Sequence, residues 1–344
     1  MLVREPSGVV GIITPWNVPQ VTIVAKLLPA LIAGCTVVIK PAPETPLDGM
    51  LLATLLAEAD LPPGVVAVLP GATPAGRRLV EHPDVDRIGF TGSADVGRWI
   101  AQTCGARLAR FSLELGGKSA AIVCEDASIT RTVAGLKFSS FLNNGQACVA
   151  QTRILAPRSR YDEVVDALVE TVDSMAVGDP RDPATDIGPL VSARQRDRVR
   201  GYIDIGTAEG ARLAAGGAGE IDGLPDGNYV RPTVFADVDN AMRVAREEIF
   251  GPVVAVIPYD DIDDAVRIAN DSPYGLGGSV WTKDRQAGLA IARRVRTGMF
   301  GINSFAPEFG VPFGGFKASG IGREYGPEAF DEYVELKSVY GVPT

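Results

Sequence analysis

Short β-branched runs alternate with helical patterns along most of this chain, and that alternation restricts the fold more than any other feature. In the first part, VVGIIT, TVVIK, VVAVL, DRIGF and ARFSLEL read as strands. Between them the spacing predicts helices over Val18–Ala33, Thr45 to about Ala59, Pro74–Glu81 and Ala94–Cys104. Thr45-Pro46 has the form of a helix start, an N-cap hydroxyl followed by proline in the first turn. Strands joined through helices by short loops run parallel, which predicts a doubly wound α/β sheet.

After Gly116-Gly117 the pattern restarts. SAAIVC, TRILAP, VVAVIPY, GGSVWT and MFGIN read as strands, with helices over Ile129–Leu142, Tyr161–Met175, Ile262–Ala269 and Arg285–Val295. A loop rich in Pro and Asp, GDPRDPATDIGP, interrupts them, and the tail YVELKSVYGV has strand propensity. A chain of 344 residues is long for one undivided core, so two α/β domains are expected, the second beginning near residue 117.

The charge balance and the scarce reactive residues remove several functions. A net charge of −9 with no basic run argues against a nucleic-acid partner. The longest apolar runs are broken by Pro, Gly or Lys and fall short of the ~20 residues a membrane span needs. Cys35, Cys104, Cys124 and Cys148 are scattered without a CxxC pair, so neither a zinc site nor a disulfide framework is expected. With no basic and apolar leader at the start, a cytoplasmic setting is expected. His82, in the turn-like string EHPDVD, is the one histidine, so a multi-histidine metal site is impossible and no metal is expected. Acid–base chemistry must then run on carboxylates or lysines.

Three residues stand out as candidates. Cys148, in NNGQACVAQ, is a potential nucleophile; Gly145 permits close backbone approach, and Asn143 and Asn144 favour a turn. Taken alone it reads more readily as a small buried cysteine. Glu114 lies at the end of a predicted strand beside a diglycine, where open α/β sheets bind ligands. By itself it would more often be a surface charge than a base. Asn17, in TPWN, follows a strand and reads either as a functional amide or as a helix N-cap.

Taken together these pieces say more. GIITPWNVP, KPAPETP, GFTGSADVG, LELGGKSA, NNGQACVAQTR, EEIFGPV and PFGGFKASGIGRE occur in that order. From about Arg4 to the C-terminus the chain closely resembles the NAD(P)-dependent aldehyde dehydrogenase superfamily. The resemblance implies two Rossmann-type α/β domains with a small oligomerisation β element. By that likeness residues 1–6 belong to an oligomerisation hairpin, 7–116 to the cofactor-binding domain, 117–325 to the catalytic domain and 326–344 to a C-terminal oligomerisation strand region. A homodimer or homotetramer follows.

The resemblance also implies roles. Cys148 attacks the aldehyde carbonyl to give a thiohemiacetal, and the Asn17 amide with the Cys148 N–H forms the oxyanion hole. Hydride loss to the nicotinamide leaves a thioester, which water activated by Glu114 hydrolyses. Coenzyme-A-acylating relatives typically lack a glutamate there, so a free carboxylic acid is the expected product. For the cofactor, Gly92 and Ser93 lie at the phosphates and Trp16 lines the cleft. Lys40 holds the adenosine ribose, Glu248 the nicotinamide ribose, and Phe250 packs nearby. Ala94 stands where relatives often carry threonine. Pro43 stands where NAD-preferring members often carry glutamate, with Glu44 one step later, so NAD is favoured and NADP stays open.

Val18, Val21, Thr22 and Ala25 share one helical face by spacing. In relatives that face lines the aldehyde tunnel, with Phe141, Phe305 and Phe313 as further walls here. Small residues on it point to a roomy tunnel for a medium or large apolar aldehyde. The resemblance begins abruptly on the VREPSGVVG strand, whereas family members carry a substantial segment before it. An exposed apolar face, and a second reading as a truncated or non-catalytic relative needing an N-terminal complement, follow from that.

Overall fold

A computed structural model describes residues 1–224, 227–306 and 308–341. The chain forms two compact units, one of Met1–Leu115 with Glu308–Gly314 and Gly320–Thr344, the other of Gly116–Pro307 with Gly315–Ser319. The break falls at the diglycine Gly116-Gly117. The return of residues 308–314 and 320–341 to the first unit was not legible in the alternation.

In the first unit the strands lie in the order Gly320–Ile321, Arg110–Glu114, Arg87–Thr91, Val9–Ile13, Thr36–Lys40 and Val66–Val68. All neighbours run parallel except the short outer strand Gly320–Ile321. Val9–Ile13 has a strand on each side, and Val10 and Ile12 are fully buried. A strand covered on both faces needs a nearly continuous apolar run rather than an alternating one, which explains VVGII. On one face Leu79, Val80, Ile88, Ile100 and Leu113 pack together; on the other Ile12, Ile23, Leu27, Ile39 and Tyr333 do. The helices Pro19–Ala33, Pro46–Ala57, Thr73–Glu81 and Ala94–Ala106 start and stop within about two residues of the sequence reading. A separate antiparallel ladder joins Leu2–Pro6 to Val334–Ser338.

The second unit holds a sheet ordered Gly301–Ile302, Gly278–Trp281, Ala120–Val123, Arg153–Pro157, Val253–Tyr259, Thr233–Ala236 and Arg212–Ala215. Only the outermost pair, Arg212–Ala215 with Thr233–Ala236, is antiparallel. The sequence reading placed no element between Pro189 and Val253, where the structure has the helix Ala193–Ala208 and two of these strands. That helix buries only Val199, Tyr202, Ile203 and Gly206. Their i, i+3, i+4, i+7 spacing is helical, but the stripe is lost among arginines and aspartates.

Arg153 pins this sheet to its surroundings while fully buried. Its Nε donates to Lys118 O (3.0 Å), one terminal nitrogen to Ile268 O (2.9 Å) and Asn240 Oδ1 (3.0 Å), and the other to Ala269 O (2.9 Å). Arg153→Leu leaves three buried carbonyls without donors and is expected to cost about 3–5 kcal/mol in urea unfolding. Arg153→Lys should not restore the loss, because an ammonium cannot reach acceptors spread around a planar fork. A loss below about 1 kcal/mol in the leucine variant would contradict this role.

Candidate active site

In the first unit the candidates gather at the carboxyl ends of parallel strands. Trp16 and Asn17 follow Val9–Ile13, Lys40 ends Thr36–Lys40, Gly92 and Ser93 follow Arg87–Thr91, and Glu114 ends Arg110–Glu114. Open α/β sheets bind their ligands at this edge, because loops there can vary without disturbing the sheet. Asn17 is not a helix cap: the helix opens with Val18 at the N-cap and Pro19 in its first turn.

Glu114 is only 3% exposed, and its Oε2 has no hydrogen-bond partner. Its Oε1 sits 2.7 Å from where a Cβ on Gly314 would lie, so Gly314 leaves the room that the carboxylate occupies. Burial, aided by the Glu324 carboxylate, pushes the Glu114 carboxyl well above the usual range, against the pull of Lys26 and Arg323. Lys26 is fully buried, 2.5 Å from Glu324 Oε1 and 2.5 Å from Thr91 Oγ1. The sequence reasoning missed Lys26 and Glu324. A lone lysine inside the apolar run TIVAKLLPALIA was the signal for the first of them.

Lys40 is buried; its Nζ donates to Pro41 O (2.5 Å) and Gly71 O (2.8 Å), leaving the third of its N–H donors. Burial holds its ammonium below the ordinary lysine range. Ser93 is the N-cap of Ala94–Ala106, yet its hydroxyl makes no capping bond. The Phe90 ring lies 2.4 Å from the Cβ that Gly92 lacks, which fixes glycine at that position.

Of the tunnel candidates here, Val21 and Ala25 line a cleft of about 910 Å³ with Val24, Leu28, Phe309 and Tyr325. Thr22 instead turns inward, its hydroxyl donating to Val18 O and Pro19 O at 3.0 Å. Val18 is exposed and is not among the residues lining the cleft. Phe313 packs edge-on against the Tyr325 ring at 5.5 Å.

The second unit carries Cys148, which is half-exposed, at the end of a turn with Asn143, Asn144 and Gly145 in the left-handed region. The Cys148 carbonyl oxygen lies 2.4 Å from the Cβ that Gly117 lacks. The Glu248 Oε2 lies 2.4 Å from the corresponding position on Gly116, and Glu248 Oε1 accepts from Gly117 N–H at 3.0 Å. The diglycine therefore touches both the cysteine segment and the Glu248 carboxylate. Desolvation pushes the Glu248 carboxyl up to about 7, opposed by the Gly117 N–H and by Lys118. Lys118 is buried, and desolvation together with Arg153 brings it down to about 7.

The helix absent from the sequence reading also serves this region. Gln195 Nε2 donates to Phe250 O (2.7 Å) and Arg198 donates to Glu248 O (2.6 Å), holding the EEIFGP segment by its carbonyls while Phe250 adopts φ 64°. Phe141 lies in the core with Leu136, Leu168 and Val254. Phe305 is buried, with its ring 2.8 Å from the Cβ position of Gly277.

The sequence profile of the aldehyde dehydrogenase family matches residues 1–339. Geranial dehydrogenase of Castellaniella defragrans is 54% identical over 337 residues, covering 98% of this chain and 70% of that protein. Among solved structures, Mycobacterium tuberculosis aldehyde dehydrogenase complexed with NAD+ superposes with a TM-score of 0.97 at 53% identity, covering 100% of this chain and 71% of that one. A mutant of aldehyde dehydrogenase C from Pseudomonas syringae, complexed with NAD+ and octanal, gives 0.97 at 45% identity, again covering 100% and 71%. The chain belongs to the aldehyde dehydrogenase family.

The state of Glu114 can be tested through stability. Its carboxyl titrates higher in the folded chain than in the unfolded one, so the folded state holds its proton longer. That contribution is present in acid and is lost as pH rises through the folded pKa. Glu114→Gln should therefore melt above the parent in alkaline buffer, with the gap closing near pH ~4, where the unfolded carboxyl is also protonated. A gap that widens in acid would contradict the buried, unpartnered carboxylate.

Proposed function

We infer that this chain oxidises apolar aldehydes to carboxylic acids with NAD through a thioester on Cys148. The observation that carries this reading is Glu114: a buried carboxylate with an unpartnered oxygen, at the ligand-binding edge of a sheet, with a raised pKa. Such a group is poised to take a proton from water and has little structural use.

In this reading Cys148 Sγ bonds to the aldehyde carbon, and the side-chain amide of Asn17 with the Cys148 N–H receives the developing oxyanion. Bound NAD supplies an acceptor for the hydride of the aldehyde carbon. Glu114 takes a proton from the water that adds to the thioester, and the acid leaves as the Cys148 thiolate departs. The Glu114 base form grows with pH, so hydrolysis of the thioester should accelerate with pH until the carboxyl is fully ionised.

The groups described above suit a dinucleotide. Lys40 has an N–H left for a ribose hydroxyl, the uncapped helix start at Ser93 suits phosphate, and Trp16 follows the strand that lies between theirs. Glu248, beside Phe250, would accept from the second ribose, which it does best when ionised. NAD+ in two solved relatives supports NAD rather than NADP. The first unit is then the cofactor-binding domain and the second the catalytic one. No helix among the described residues is long and apolar enough to cross a membrane. We place the enzyme in the cytoplasm as a homodimer or homotetramer. The Leu2–Pro6/Val334–Ser338 ladder supports an oligomer, since no third strand joins it among the described residues. The non-catalytic reading is disfavoured, because Asn17, Glu114, Cys148 and Glu248 are all present.

The apolar cleft beside Val21 and Ala25, with relatives named for geranial and crystallised with octanal, supports a medium or large aldehyde. Across a straight-chain aldehyde series from two to eight carbons, kcat/KM should rise about fourfold for each methylene buried. Ala25→Trp should remove that rise with little effect on acetaldehyde. A flat series, or preference for an anionic semialdehyde, would overturn the substrate class. The KM for NAD should rise as pH falls below about 7, where Glu248 takes its proton. Glu248→Gln should flatten that dependence; a parent profile that is already flat would contradict the role of Glu248.

A further inference from the structure

The turn ahead of Cys148 is held by a contact that neither the motifs nor the mechanism uses. Asn143 (φ 52°, ψ 40°) and Asn144 (φ 59°, ψ 33°) are both left-handed, and Gly145 follows at φ 72°. Two successive non-glycine residues in this region are strained, and such a run persists only where its surroundings impose it. Gly145 cannot relieve the strain by moving outward, because the Gly251 carbonyl oxygen is 2.2 Å from its absent Cβ.

The constraint comes from the segment after the Pro/Asp-rich loop. Asn144 Oδ1 accepts from Gly188 N–H at 3.0 Å, and Asn144 Nδ2 donates to Pro189 O at 3.1 Å. Two residues on, Gln146 Oε1 accepts from Val191 N–H at 3.0 Å, while its Nε2 donates back to Asn143 O at 3.1 Å. The anchoring segment is itself fixed. Ile187 and Leu190 are buried, Leu190 N–H donates to Asn228 O at 2.9 Å, and Asp186 pairs with Lys137 at 2.6 Å.

We propose that Asn144 is a positioning residue: its side-chain amide clamps the left-handed turn to the Gly188–Pro189 backbone and so sets the placement of Cys148. The proposal rests on Cys148 being the nucleophile. The thiol and its N–H must both meet the same carbonyl group, and a misplacement of about 1 Å costs on the order of a hundredfold in rate. Asn144 is also half-exposed, so water can replace both of its bonds when the amide is removed. The fold should then survive while the turn loosens, which separates positioning from a purely structural role.

Asn144→Gly removes the clamp and also relieves the left-handed strain, so its melting temperature should stay at or above that of the parent. In the intact 344-residue chain, hydrogen exchange should quicken in peptides covering residues 143–150 and 187–191 and nowhere else. The single-turnover rate of NADH formation from octanal should fall ~10- to 100-fold, with KM for NAD unchanged. Asn144→Asp, which keeps the acceptor for Gly188 N–H, should fall between glycine and the parent. A glycine variant that forms NADH at the parent's rate overturns the proposal, whether or not exchange quickens. Unchanged exchange overturns it too, and that measurement needs neither aldehyde nor NAD. A parent that forms no NADH at all speaks instead against the enzymatic reading.

Discussion

Two backbones approach each other at Gly117 more closely than any side chain would allow. The Cys148 carbonyl occupies the space of the missing Cβ, and one residue earlier the Glu248 carboxylate does the same at Gly116. Glu248 is further tied to the diglycine by the Gly117 N–H. The Cys148 segment and a buried carboxylate on EEIFGP thus share one short stretch of chain as their reference. A methyl group at Gly117 would have to displace backbone rather than the end of a flexible side chain. That requirement explains why two glycines follow directly on Leu115 in LELGGKSA.

Buried charge is the second theme, and the two units handle it differently. In the first, Lys26 and Glu324 pair directly, and Glu114 stands beside them with an oxygen left unpartnered. In the second, Lys118 and Glu248 are both moved to about 7 by desolvation. Burying ionisable groups opposes folding unless they are paired or a function retains them. The fold offsets the burial of a further cation, Arg153, by giving its fork the carbonyls of Lys118, Ile268 and Ala269. It also meets that opposition with the continuous apolar strands at the centre of each sheet.

How much of this was legible depends on where each signal lies. Strands such as TVVIK and VVAVIPY announce themselves, because a central parallel strand is apolar throughout. Glu114, Cys148 and Asn17 were ambiguous one at a time and stood out only through the family resemblance that the motifs carry together. Lys26 and Glu324 could not be paired from sequence, since 298 positions separate them and only folding brings residues 320–341 back to the first sheet. The helix Ala193–Ala208 was hidden by its arginines, two of whose neighbours on EEIFGP it nevertheless holds through Gln195 and Arg198. Of Val18, Val21, Thr22 and Ala25, Val18 is the N-cap ahead of the helix Pro19–Ala33. Thr22 satisfies its hydroxyl on the helix backbone and turns inward, so only Val21 and Ala25 line the cleft.

The central claim is that Cys148 carries the acyl group and Glu114 releases it. The most direct measurement is peptide mass mapping after octanal and NAD are mixed with stoichiometric Glu114→Gln enzyme and quenched in acid. The account predicts an octanoyl thioester on the peptide containing Cys148, persisting in the variant and absent from the parent quenched at the same time. NADH formed without any acyl group on Cys148, or a thioester equally short-lived in both proteins, would contradict it.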